Sequence, residues 1–397
     1  MKLRFRDDKQ IHNSKGQLPA APPVPAHVFP VRLILPAGCI VVVAGVVLLT
    51  WGLLSRHSPG GNQGSSSCAK ASGPFTEQGA TILQASGRQF IPYGTTVTGL
   101  ANSDYQKRLA QTTAQITAAV RYWCVNTVRL QVAPDNLLGR AGSGYSKRFM
   151  RALQSEVRLA ESYHLVVTIS AQTEGMGRQP QPDSTTALFW QDVVRLYCND
   201  PQVVFDLFNE PRMSTGNTDA DWQLWQQGGS YHGRPYIGMQ TLVNDVRSEG
   251  AKNLLWIEGL YLSTTLNGIG SHLITSGAPL MYDIHHPRGA HAETAWDQDF
   301  GYLVKRSIAP VVDGEWTNYA APHSECWPDA KMAVPAYLNY LQGLHVGMTV
   351  WTLQGGVMTS SSDLSQPTQI GANWQCRGGI NEGAGSLVMQ WYKRNNG

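Results

Sequence analysis

Eight short β-rich runs separated by helical stretches restrict this chain more than any other feature. From about residue 74 they read TVTGL (96–100), NTVRLQV (126–132), LVVTIS (165–170), VVFDLF (203–208), NLLWIEG (253–259), LMYDIH (280–285), APVVDGE (309–315) and GMTVWTL (347–353). Between them lie helix patterns such as YIGMQTLVNDVRSEG, where Met239, Leu242, Val243 and Val246 recur at i, i+3, i+4 and i+7. This alternation over residues 74–397 predicts an α/β fold, a (β/α)8 TIM barrel. Ahead of the first strand, TILQASGRQFIPYG sets Ser86-Gly87 between two apolar runs and predicts an N-terminal β-hairpin.

The segment before the barrel has a different character. Residues 1–32 hold Lys2, Arg4, Arg6, Lys9, Lys15 and Arg32 against Asp7 and Asp8, a net +4 that exceeds the +3 of the whole chain. Residues 33–54, LILPAGCIVVVAGVVLLTWGLL, carry no charged side chain. At about 1.5 Å per residue such a run is long enough to cross a hydrocarbon core roughly 30 Å thick. The length of the run and the lack of a small-x-small cleavage site after it favour a retained anchor over a cleaved signal peptide. Basic residues prefer the cytoplasmic side, so 1–32 is expected inside the cell and the barrel outside, on a single-pass membrane protein. The Gly/Ser-rich stretch 55–73 then reads as a flexible linker. The remaining charge, −1 beyond residue 32, gives no electrostatic reason to expect nucleic acid as a partner.

Cys39 falls in the apolar span, leaving Cys68, Cys124, Cys198, Cys326 and Cys376 in an oxidising space. The odd count predicts that one is unpaired or bridges to another chain. Cys326 and Cys376, both after late strands, are the favoured pair, and Cys68, Cys124 and Cys198 compete for a second bridge. No C-x-x-C spacing suggests structural zinc.

In a barrel of this kind the active site gathers at the carboxyl ends of the strands. Reading those ends gives Arg129, Gln172, Asn209 with Glu210, Glu258, His285 with His286, Glu315 and Trp351. Taken singly, a terminal Glu caps a helix, an Arg makes an ordinary ion pair and a Trp fills a core. Carboxylates, an Arg, an Asn, a His and a Trp converging on one mouth suggest chemistry.

The segments FDLFNEP, MYDIHHP and VVDGEW resemble glycoside hydrolase family 5, the cellulase and mannanase group of retaining β-glycosidases. The resemblance implies that Glu210 is the general acid/base and Glu315 the nucleophile. It further implies that Asn209 contacts the sugar 2-hydroxyl, that Arg129 and His285 are the strand-two arginine and strand-six histidine, and that Trp351 is a platform under the reacting sugar. A retaining mechanism needs two carboxyl groups roughly 5 to 5.5 Å apart. One must be ionised to attack, and Arg129 offers the positive charge to hold it so. The other must start protonated, which repulsion between two like charges promotes. This chemistry requires no cofactor, and its partner is a β-linked glycan.

Two positions depart from the family pattern. Gln172 stands where the family places a histidine after the third strand; it can hydrogen-bond but cannot titrate. The strand-six His-x-Tyr reads His285, His286, Pro287, so the tyrosine is missing. Tyr282 should face away from His285, and Tyr261, Tyr319 or His286 remain candidates to fill the gap. Metal-assisted hydrolysis is disfavoured because adjacent histidines on a strand point to opposite faces and no H-x-H lies on the first strand. No G-x-S-x-G elbow supports a serine nucleophile. The alternative function is a catalytically weak glycan-binding barrel in envelope polysaccharide assembly. Under either reading Trp222, Trp225, Tyr231, Trp316, Trp327 and Trp374 offer aromatic faces to sugars or pack loops together. The sequence leaves open which β-glycan is bound, endo versus exo action and the oligomeric state.

Overall fold

The computed structural model of the chain describes residues 68–139, 145–172, 179–212, 218–285, 292–318, 327–372, 374 and 382–397. Two short antiparallel strands, β1 (Thr76–Gln78) and β2 (Thr81–Leu83), come first. The chain continues through β3 (Tyr93–Val97), β4 (Thr127–Val132), β5 (Val166–Ala171) and β6 (Val203–Asp206), then a small hairpin of β7 (Gly228–Tyr231) and β8 (Arg234–Ile237). It ends with β9 (Leu255–Glu258), β10 (Leu280–Ile284), β11 (Val311–Trp316) and β12 (Gly347–Val350). Strands β3, β4, β5, β6, β9, β10, β11 and β12 close into a barrel in that order, every neighbouring pair parallel. The expected eight-stranded barrel is therefore present.

Two elements differ from expectation. The first barrel strand spans Tyr93–Val97, not 96–100, and Gly99–Ala101 forms a 3-10 turn. Gly94 is the reason, because a Cβ there would lie 2.5 Å from the Thr127 carbonyl oxygen. A glycine required for close strand packing looks, in sequence, like a turn. The Ser86-Gly87 reversal does form, with Phe90 N–H donating to Ile82 O at 2.7 Å, but it extends a hairpin whose named strands lie earlier.

The helices follow from local sequence. Met239–Ser248 buries Met239, Leu242, Val243 and Val246, the predicted stripe. Ser184–Tyr197 begins with the Asp183 side chain accepting from Thr185 and Thr186 N–H, while the Thr186 hydroxyl accepts from the Asp183 backbone N–H. That capping box satisfies donors that would otherwise be left open.

The interior divides by height. Val166, Val204, Trp256, Met281 and Val312, near the strand starts, form one apolar cluster with Phe75, Ile82 and Phe90. The N-terminal hairpin thus plugs that end of the barrel, and the Phe75 and Phe90 rings pack at 4.6 Å. Polar side chains are displaced toward the other end. Outward-facing Val128, Leu130, Val167, Ile169, Phe205 and Ile257 belong to the separate core beneath the helices.

Cys68 and Cys124 form a disulfide across 56 residues of chain. It fastens the segment ahead of β1 to the end of the helix Tyr105–Trp123, where Cys124 is left-handed at φ 61°. Cys198 is also disulfide-bonded, and none of the described cysteines is free. The favoured Cys326–Cys376 pair lies outside the described residues, as do 33–54 and most of the 55–73 linker. Among the described residues no helix is long and apolar enough to cross a membrane.

Candidate active site

Strand alternation brings the polar set together. On β4, Arg129 and Gln131 point inward while Val128, Leu130 and Val132 join the outer core. Asp206 on β6, Glu258 on β9, and Asp283 on β10 with His285 just past its end enter the same space. Strand β11 breaks the rule. Its register against β12 shifts between Asp313 and Trp316. As a result Glu315 turns in toward Arg129 while its neighbour Trp316 turns out to the helix side. Such an irregularity re-aims a side chain without breaking the sheet.

Arg129 is fully buried and sits at the hub. Its Nε donates to Asp206 Oδ2 at 2.8 Å and its Nη1 to Glu315 Oε2 at 2.7 Å. Its Nη2 reaches Ser170 Oγ at 3.0 Å, Asn209 Oδ1 at 2.6 Å and Glu258 Oε1 at 2.8 Å. Burial works against the guanidinium charge, and Asp206, Glu258, Glu315 and Asp283 more than offset it, so Arg129 stays protonated. Burial likewise works against a charge on His285, but Glu258 and Asp283 beside it raise its pKa well above the ordinary histidine value. The Glu258 and Asp283 carboxyls are pushed up by that same burial and pulled back by His285.

Above this hub stand the two carboxylates expected from sequence. Glu315 Oε2 accepts from Arg129 and from Gln131 Nε2 at 2.6 Å. Glu210 Oε1 lies 3.4 Å from His285 Nδ1. A carboxylate oxygen of Glu210, one of Glu315 and a ring nitrogen of His285 all fall within 4.8 Å of one another. The Glu210 and Glu315 side chains are 18% and 11% exposed, against 0% for Arg129. The pair therefore faces the opening, and the ionic hub lies beneath it.

Asn209 turns its carbonyl oxygen to Arg129 and Gln131, which directs its amide nitrogen away from them. Gln172 and Trp351 stand half-buried at the rim, one residue beyond β5 and β12. Tyr282 faces away from His285 as expected, its hydroxyl accepting from Ile274 N–H at 2.7 Å. Of the candidates for the missing tyrosine, His286 and Tyr319 lie outside the described residues, with Pro287. Of the aromatic residues expected either to face sugars or to pack, Trp222 and Trp225 on the helix Asp219–Gln227, Trp316 on β11, Trp327 and Trp374 are all buried, which is the second of those readings, while Tyr231 is half-buried. These five tryptophans pack within the core, and Trp374 Nε1 donates to Trp327 O. Asp206, Asp283 and Gln131 escaped sequence reasoning. The available signal was the period of two that puts Asp283 on the face of His285 and Gln131 on that of Arg129.

Among the described residues two groups have donors close enough for a cation, Glu210–His285–Glu315 and Glu258–Asp283–His285. In each, one carboxylate already pairs with Arg129, so the chain supplies positive charge there itself.

A parallel eight-stranded barrel with two facing carboxylates at the strand ends, one held by an arginine and one beside a histidine, is the arrangement of a glycoside hydrolase. Residues 83–356 match the family described as cellulase, glycosyl hydrolase family 5, and the chain belongs to that family of retaining enzymes acting on O-glycosyl bonds. It is 27% identical over 196 residues to an endoglucanase of Paenibacillus polymyxa, a match covering 43% of this chain and 47% of that protein. The chain thus spans about half the length of that curated relative. Among solved structures, a β-glucanase from Saccharophagus degradans superposes with a TM-score of 0.61 at 18% identity, covering 86% of this chain and 98% of that one. A β-mannanase from Streptomyces thermolilacinus, solved with mannohexaose, gives 0.55 at 17%, covering 75% and 91%. Identities this low show the fold alone.

Proposed function

We propose that the chain hydrolyses a β-linked glycan through a covalent glycosyl-enzyme. The observation that carries this reading is the spacing within 4.8 Å of the Glu210 and Glu315 oxygens at the open end of the barrel. That separation suits direct attack on a sugar and is short of the roughly 6.5–9.5 Å that leaves room for a water in inverting enzymes. Glu315, with two donors on Oε2 including a guanidinium, is suited to remain anionic and attack the anomeric carbon. As the glycosidic bond breaks, the proton of Glu210 passes to the departing oxygen. Glu210 then takes a proton from water, whose oxygen attacks the anomeric carbon and releases Glu315. Asn209, with its carbonyl fixed by Arg129 and Gln131, would give its N–H to the sugar 2-hydroxyl. Trp351 would lie under the ring, and Gln172 would position substrate from the rim.

A β-glucan is the favoured substrate, supported by the endoglucanase relative and by the Saccharophagus degradans β-glucanase solved with cellotetraose. Azide tests the roles. Glu315→Ala should abolish turnover, and azide should yield the α-glycosyl azide. Glu210→Ala should accumulate the intermediate from an activated aryl glycoside, and azide should release the β-anomer. Exchanged anomers would reverse the roles, and wild-type activity in both variants would place the site elsewhere. Saturable glycan binding by the unaltered chain without turnover would favour the binding-barrel alternative.

The anchor reading rests on the basic leader and the uncharged run 33–54. Protease added to intact cells should release a soluble barrel cut within 55–73; protection until lysis would refute an extracytoplasmic position.

A further inference from the structure

Glu258 lies at the end of β9 and is fully buried, whereas the two carboxylates that the reaction would use are partly exposed. Its four neighbours nevertheless include both halves of the site. Oε1 accepts from Arg129 Nη2 at 2.8 Å and lies 3.4 Å from His285 Nε2. Oε2 accepts the backbone N–H of Glu210 and the Ser263 hydroxyl, each at 2.5 Å.

The backbone at both of those last contacts is unusual. Glu210 sits at φ 51°, and Tyr261, Leu262 and Ser263 follow one another at φ 64°, 61° and 57°. A non-glycine residue in the left-handed region costs on the order of 1–2 kcal/mol and persists only where its surroundings impose it. Here the surroundings are explicit. Leu262 N–H donates to Pro211 O at 3.0 Å, and His285 N–H to Ser263 O at 2.7 Å. The strained turn is thereby fastened to the residue after Glu210 and to the histidine beside the Glu210 carboxyl, and Glu258 closes the circuit.

We propose that Glu258 is a positioning residue for the acid/base. Its carboxylate fixes the left-handed backbone of Glu210 through one oxygen. Through the other it aligns His285, which faces the Glu210 side chain, against the Arg129 that holds Glu315. The inference rests on the retaining-glycosidase reading above and deepens it. A Glu258 that gave a proton to substrate directly would have to reach the opening, and it is fully buried.

The test separates positioning from general structural support by leaving-group dependence. A glycan needs a proton on its departing oxygen, whereas a dinitrophenyl glycoside does not, so damage confined to the acid falls on the first substrate alone. In Glu258→Gln one side of the amide presents N–H groups where the carboxylate accepted. We expect kcat/KM for cellotetraose to fall about 100-fold. For dinitrophenyl cellobioside it should fall less than about fivefold. The alkaline limb of the cellotetraose pH profile, which reports the acid, should move as well. Ser263→Ala, which removes one donor and keeps the carboxylate, should give the same selectivity at about five- to tenfold and serves if Glu258→Gln does not fold. Equal losses on both substrates, or no loss on either, in the folded variant overturn the inference while leaving the glycosidase reading intact. A wild-type chain that turns over neither substrate overturns both.

Discussion

Arg129 Nη1 and Glu315 Oε2 meet at 2.7 Å across the barrel, not along it. Their strands β4 and β11 are separated by β12 and β3 in the sheet, so the pair is a chord through the interior. Cutting it leaves Asp206, Glu258 and Glu315 buried around an empty place. Arg129→Ala should therefore destabilise the fold by about 3–5 kcal/mol, the cost of an uncompensated buried charge. Arg129→Lys should recover part of that stability but little activity, because a single ammonium cannot reproduce the fork that reaches four elements at once. Denaturant melts beside kcat measurements check both; a Lys variant with wild-type turnover contradicts the argument.

Asp299 gives the stability a pH dependence. Burial pushes its carboxyl up to about 7, against a hydrogen bond from Thr265. An acid whose folded pKa is raised contributes stability that is complete below its unfolded pKa near 3.8 and is lost as pH rises through about 7. Allowing for its partial solvent access, the loss should be on the order of 2 kcal/mol by pH 8. Urea melts at pH 4 and pH 8 should show Asp299→Asn flattening this decline and exceeding the wild type only at the higher pH.

The tryptophans should divide by role. Trp351, half-buried at the mouth, should cost about tenfold in kcat/KM when changed to Ala, with a small change in Tm. Trp222, 2% exposed and packed on Trp225 at 5.4 Å, should cost about 3–5 kcal/mol of stability with KM unchanged in the surviving folded fraction. Thermal melts and substrate saturation curves distinguish the two, and the reverse pattern would return Trp222 to the list of sugar platforms.

The Cys68–Cys124 bond closes a loop of 56 residues that contains the whole hairpin plug and the first strand and helix. Its removal by Cys68→Ser should cost up to about 4 kcal/mol through the unfolded chain's regained freedom. Because Cys198 is also bridged, the comparison is made under one condition at a time: wild type should melt above the variant without reductant, and the two should melt together once reductant has opened every bridge.

The barrel was readable from its eight apolar runs because each is bounded by polar turns and buried on both faces. Only the first strand was displaced, by Gly94, whose packing role imitates a turn. The two carboxylates were readable because they stand at strand ends, Glu210 beside Asn209 and Glu315 after Gly314, and the family likeness suggested the roles proposed for them. The hub beneath them was not. An acid such as Asp206 or Asp283 inside a strand looks like an interruption until its partner is known, and Arg129 names no partner from sequence. Nor does alternation place Glu315 inward, since that needs the register shift on β11. Aromatic loops were ambiguous for a plainer reason: an indole that stacks on sugar and one that packs a loop have the same letter.

That shift between Asp313 and Trp316 makes the aim of Glu315 depend on the path of the β11 backbone as well as on residue identity. Straightening the strand at unchanged length, so that alternation ran strictly on from Asp313, would exchange the two neighbours, sending the indole of Trp316 into the mouth and Glu315 into the apolar shell. A lineage could thus withdraw the Glu315 carboxylate from the mouth with every letter of the motif still present in its sequence, and a motif search would continue to score such a chain as intact.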